Sequence, residues 1–223
     1  MTKKLKISLV FNVIIAILVA FATICMYAGI QFLGGEGQLS TTGIAIFKFF
    51  TIESNVLMGI MSIVFACFEI SLVRGKIKEI PTKIYILKHI CTVGVVLTML
   101  TTVLFLAPTA ENGYFSMFRN SNFFYHFIIP TISLVTFVFF ENTDKINRKY
   151  TFAGMIPMIL YSIFYTINVF IHLEEGKPSA IYDWYGFVQG GAGTIAIALP
   201  VMLISTYVIS YLLWYYNKRL LRA

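Results

Sequence analysis

Six apolar runs alternate with short polar segments along this chain, and each run is long enough to cross a bilayer. They fall at about residues 7–30, 46–69, 84–107, 123–140, 153–172 and 192–215, close to the ~20 residues that a membrane-spanning helix needs. The connecting segments hold the charges and most of the turn residues, and none is long enough for a soluble domain. Short connections make consecutive helices antiparallel neighbours. The pattern therefore predicts an all-α integral membrane protein, with residues 1–223 forming a single six-transmembrane-helix bundle. No internal repeat is evident, which argues against an inverted-repeat transporter. Pro130, Pro157 and Pro200 lie inside spans four, five and six, and predict kinks that open cavities between the helices.

Composition agrees with this pattern. Of 223 residues, 58% are hydrophobic and only 12% charged, and the mean hydropathy is +0.82. The net charge of +7 reflects orientation rather than nucleic-acid binding. If the N-terminus lies inside, all of the 17 basic residues except Lys48, Arg119 and Lys177 fall on the cytoplasmic side. That set includes Lys88, and the bias predicts that both termini are cytoplasmic. Lys3, Lys4 and Lys6 could open a secretory signal peptide, but the apolar run behind them is too long for a cleaved core. Cys25, Cys67 and Cys91 all fall within spans without metal or redox spacing, and are expected to pack in the core as free thiols. The Lys- and Ile-rich composition, with no Asn-x-Ser/Thr sequon, fits a bacterial plasma membrane.

Candidate chemistry gathers toward one end of the bundle, the expected extracytoplasmic side. Polar groups inside hydrocarbon are costly, so they are treated as site candidates. Phe50-Thr51-Ile52-Glu53-Ser54-Asn55 lies near the start of span two, and Asn120 to His126 at the start of span four. Span five delivers Asn168 and His172 to the same level, and span six begins there after Asp183 and Gln189. Thr51, Ser54 and Asn55 stand at i, i+3 and i+4 on one helical face, and Asn122 and His126 are one turn apart. A histidine beside a threonine hydroxyl can act as general base for attack on an ester. Ser54, Asn55, Asn122 and Asn168 are candidate donors to the substrate or its oxyanion. Glu53 has three possible roles: orienting His126, pairing with Lys48 or Arg119, or facing headgroups. The same residue types also serve as interhelical glue. His126, His172, Glu53 and Asp183 could ligate a metal, but no His-x-x-x-His pair supports this, and no metal or other cofactor is expected. His89 is expected at the membrane interface. Glu69 and Glu141, at the inner ends of their spans, need no catalytic role. Trp184 is expected to be an interfacial aromatic.

Phe49-Phe50-Thr51-Ile52-Glu53-Ser54-Asn55 and Tyr125-His126-Phe127-Ile128-Ile129-Pro130 resemble the androgen-induced-gene and androgen-dependent TFPI-regulating protein family and its bacterial six-span relatives. The resemblance implies that Thr51 is a nucleophile and His126 its essential partner. It also implies hydrolysis of lipid esters, notably fatty acid esters of hydroxy fatty acids. Thr51, Ser54 and Asn55 reproduce the Thr-x-x-Ser-Asn of bacterial relatives, whereas Gly186 stands where that family often has proline. The expected partners are a lipid ester and membrane lipids. A lipid acyltransferase and a non-enzymatic lipid-binding or transport protein are the alternatives.

Overall fold

A computed structural model describes residues 3–33, 41–188 and 192–221. The structure is 76% helical. Among the described residues, six helices are long and apolar enough to cross a membrane. We label them α1 (Lys3–Ala28), α2 (Phe50–Val73), α3 (Thr82–Leu106), α4 (Ser121–Phe140), α5 (Arg148–Ile171) and α6 (Ala192–Leu221). Large apolar side chains stand outward on every side, among them Ile24, Ile60, Leu104, Phe139, Ile163 and Ile197. So much exposed aliphatic surface suits lipid rather than water.

Two sets of contacts define the ends of the bundle. At the first, Lys4 reaches Asn142, and the Asn217 amide donates to the Phe137 and Glu141 carbonyls, so both termini lie together. At the other, the Phe32 and Leu33 N–H groups each donate to Asn120 Oδ1 at 2.8 Å. Asn120 has φ 52° and ψ −135°, a backbone region that favours glycine, and its side chain clamps the first loop to the head of α4.

The shift from the expected spans that bears on the site concerns α2, which begins at Phe50 rather than near residue 46. Gly43–Lys48 forms a separate 3₁₀ turn, and apolar Ile44, Ile46 and Phe47 disguise it as helix in the sequence. Thr51 therefore sits in the first turn of α2. α5 starts earlier than expected with a 3₁₀ stretch, Arg148–Met155, and Pro157 marks its passage into α-helix.

α4 alternates between α and π spacing, with π turns at Phe124–Ile128 and Thr136–Phe140. In the first, the Ile129 N–H bonds the Phe124 carbonyl five residues back. The same spacing would aim residue 130 at the Tyr125 carbonyl, but proline has no N–H to give. Asn55 Nδ2 occupies that place, 3.3 Å from the Tyr125 carbonyl. A π turn of this kind often accompanies a functional site.

Close backbone approaches fix the packing elsewhere. A Cβ on Gly59 would lie 2.7 Å from Val19 Cγ1, so α1 and α2 meet at a residue that has none. Gly154 of α5 abuts Ser210 of α6 in the same way. Small residues at helix contacts are the usual means of close packing in membranes.

The termini end conceals a charged core. Lys88 and Glu141 form an ion pair at 3.6 Å with both side chains fully buried. Lys88 Nζ also donates to Asn12 Oδ1 at 2.5 Å and Ser62 Oγ at 3.0 Å. Asn12 Nδ2 donates to Glu141 Oε1 at 2.8 Å and faces Glu69 Oε2 at 3.4 Å. Lys88 is thus not a loop charge, and Glu69 and Glu141 do more than end their spans: the cluster ties α1, α2, α3 and the end of α4 together.

His89 is likewise fully buried rather than interfacial. Ser210 Oγ donates to the Thr151 carbonyl at 2.6 Å, so it accepts from His89 Nε2–H at 2.8 Å. His89 Nδ1 is left without a partner among the described residues. The three cysteines are free thiols, but only Cys25 is buried, and Cys67 faces outward.

Candidate functional site

Thr51 and His126 line one small cavity of about 20 Å³, together with Met26, Asn122, Leu106 and Tyr185. That volume holds roughly a single water. Thr51 is half-buried, and its hydroxyl has no hydrogen bond among the described residues. Its carbonyl, by contrast, accepts from Ser54 Oγ at 3.2 Å and Asn55 Nδ2 at 2.8 Å.

His126 is 3% exposed, and its Nδ1 lies 2.8 Å from the Met117 carbonyl. A carbonyl can only accept, so Nδ1 carries the proton and the neutral ring keeps its lone pair on Nε2. Met117 belongs to a short 3₁₀ turn, Tyr114–Phe118, that packs against the head of α4. The orienting partner of the histidine is therefore a loop carbonyl and not Glu53.

The proposed donors separate into two groups. Asn122 is 7% exposed and stands on the cavity wall beside His126. Both Asn55 N–H groups are engaged by the Thr51 and Tyr125 carbonyls, so this amide has nothing left to give an oxyanion. Ser54 pairs with Thr98 Oγ1 at 3.2 Å and joins α2 to α3. Asn55 and Ser54 thus hold helices in place. Asn168 lines none of the cavities at this site, and its carbonyl meets His172 Nδ1 at 2.8 Å. His172 stacks on Tyr182 with ring centroids 3.8 Å apart and lines neither of the cavities that Thr51 borders.

Glu53 is half-buried and makes no ion pair with Lys48 or Arg119 among the described residues. Lys48 instead sits over the rings of Phe49 and Trp184. Asp183 is 2% exposed and accepts from the Tyr165 hydroxyl and from the Val188 N–H. No three His, Cys, Asp or Glu side chains gather into a metal-holding group among the described residues. Gln189 lies outside the described residues.

Sequence reasoning missed the part played by Tyr185. Its hydroxyl accepts from the Phe50 N–H at 3.1 Å, satisfying one of the free donors at the head of α2. Burial pushes this hydroxyl up to about 12, so it stays neutral at working pH. The Asp183-Trp184-Tyr185 segment was visible in the sequence, but not its inward fold. Trp184 Nε1 donates to the Tyr161 hydroxyl at 3.0 Å, and that hydroxyl donates to the Lys48 carbonyl at 2.6 Å. Trp184 is thus built into the protein instead of standing free at the interface.

Thr51, Leu106 and Tyr185 also border a second cavity of about 100 Å³, walled mainly by Phe50, Leu97, Met158, Phe187 and Met202. On the opposite side, Met26 and Asn122 border an open recess that includes Thr42 and Arg119. The hydroxyl and imidazole therefore lie between a polar mouth and an apolar chamber. Comparison of the chain with protein-family models, curated proteins and solved structures returned no match.

Proposed function

We propose that this protein is an intramembrane hydrolase of lipid esters, of the fatty acid ester of hydroxy fatty acid type, with Thr51 as nucleophile and His126 as base. The observation that carries this reading is the shared cavity, in which an unengaged threonine hydroxyl accompanies an imidazole whose Nδ1 is already occupied. Thr51 Oγ attacks the ester carbonyl carbon while its proton passes to His126 Nε2. The tetrahedral intermediate collapses, and the same proton leaves with the departing alkoxide. A water activated by His126 then releases the acid from Thr51.

Two donors suit the developing oxyanion: the Asn122 amide, and the Thr51 backbone N–H at the positive end of α2. The apolar chamber next to Thr51 fits an acyl chain, and the polar recess suits the rest of the substrate. On this reading the chain sits in a bacterial plasma membrane with both termini cytoplasmic and the site toward the extracytoplasmic face. The basic residues at the termini end support that orientation.

Purified protein in vesicles provides the test. Thr51→Ala and His126→Ala should each abolish hydrolysis of a long-chain ester while the helical circular dichroism is retained. Full turnover by either variant would sink the assignment. A transferase would use the same acyl-threonine intermediate, and a new ester in place of free acid among the products identifies it.

A further inference from the structure

The contact between α5 and α6 is tight at one end and open at the other. At the termini end, Ser210 bonds the Thr151 carbonyl, Trp214 Nε1 bonds the Ile146 carbonyl at 2.9 Å, and Phe152 stacks on Tyr207. Gly154 completes this closure against Ser210. Toward the site end, no hydrogen bond joins Ile156–Ile171 to α6 among the described residues. There the helices part around an open cleft of about 340 Å³, walled by residues such as Ile159, Ile163, Leu199 and Leu203.

Two hydroxyls make this cleft unlike an ordinary helix contact. Ser162 and Thr166, one turn apart, both face it, and neither Ser162 Oγ nor Thr166 Oγ1 has a hydrogen-bond partner among the described residues. Ser162 is 7% exposed. Elsewhere in this protein, Thr92, Thr98, Thr136 and Thr206 bond the carbonyl four residues back, the common way to satisfy a hydroxyl in a helix. α6 offers Ala198, Leu199 and Met202 opposite the pair: the first two have no polar atom, and the Met202 thioether, only a weak acceptor, bonds neither hydroxyl among the described residues. The polar glue that usually holds membrane helices together is missing here.

The cleft also leads inward. Ser162, Thr166 and Leu199 are shared with a narrower space behind it, and Met158, Tyr161, Phe187 and Met202 are shared between that space and the apolar chamber beside Thr51. At 1.5 Å per residue, Ser162 lies roughly 13 Å below the end of α5, near the middle of a bilayer. An opening at that depth faces acyl chains rather than water or headgroups.

We propose that the cleft between α5 and α6 is a lateral portal and binding site for the acyl chain of a bilayer lipid, through which the chain reaches the Thr51 chamber. The portal rests on the lipid-ester reading for its purpose, but it can be tested without catalysis. The Thr51→Ala protein is placed in phospholipid vesicles with a long-chain fatty acid bearing a photoactivatable diazirine midway along its chain. After illumination, labelled peptides are mapped by mass spectrometry. Labelling should concentrate on Ile159–Ile167 and Ala198–Leu203, and excess unlabelled fatty acid should compete it away. Filling the cleft with Leu199→Trp should reduce this labelling several-fold, whereas Ile197→Trp on the lipid face of the same helix should leave it unchanged. Thr166→Val, a milder change, should alter the label distribution within the cleft without affecting folding.

Labelling spread evenly over the outward faces of α1, α2 and α6, or insensitive to competition, would overturn the portal. The two readings fail separately. Cleft labelling together with undiminished hydrolysis by Thr51→Ala removes the nucleophile and keeps the portal. An inactive Thr51→Ala with no cleft labelling does the reverse.

Discussion

At the residue scale, His126 and Asn55 make opposite predictions. His126 can accept the Thr51 proton only as a neutral ring, because imidazolium has no lone pair to offer. Hydrolysis should therefore be lost once the pH is low enough to protonate the ring, and a rate that persists after NMR shows the ring protonated would point to another base. Loss of the base alone should cost about 10²–10⁴-fold in rate. Asn55→Leu should act on stability instead. It leaves the Tyr125 carbonyl without its donor, a loss of about 1–3 kcal/mol, read as a lower unfolding midpoint in detergent. The sequence made Thr51, Asn122 and His126 legible as neighbours, because helix direction and depth place them in one layer. It could not reveal that Met117 orients the histidine or that Tyr185 closes the cavity. Both sit on loops, whose paths no hydrophobic period records.

At the scale of helices, the charged core behind α1 to α4 makes the sharpest prediction. Lys88→Met strands Glu141 in a buried setting without its cation, which should cost about 3–5 kcal/mol and show as lost expression or early unfolding. Combining it with Glu141→Gln removes the stranded charge and should restore much of the stability. A double variant as unstable as the single one would show that Lys88 matters through packing or its bonds to Asn12 and Ser62 rather than through charge. This core escaped the sequence reading for a plain reason. Lys88, Glu69 and Glu141 each stand near a span end, where charges ordinarily reach water, and only the packed bundle shows that these three do not. The start of α2 was misjudged for the converse reason, since the 3₁₀ turn before it carries Ile44, Ile46 and Phe47, and its one charge, Lys48, does not mark the break.

At the scale of the whole molecule, the number and order of the helices were plain from hydropathy, because six apolar runs with short connections leave little freedom. Orientation in the membrane is open to direct measurement. With the native cysteines replaced by alanine, Lys145→Cys should react with a membrane-impermeant maleimide only from the cytoplasmic side. Glu175→Cys, in the exposed hairpin after α5, should react only from the opposite side. The reverse pattern would invert the proposed topology and move the site to the inner face.

The Met117 carbonyl has a consequence for the kind of ester this site would favour. In a serine-protease triad, a buried carboxylate steadies the imidazolium that forms during attack. A peptide oxygen can aim the ring but supplies only a partial charge, so the protonated intermediate gains little from its surroundings. Catalysis then leans on the ease with which the alcohol departs: activated aryl esters should turn over far faster than alkyl esters of equal length, and natural substrates should react slowly.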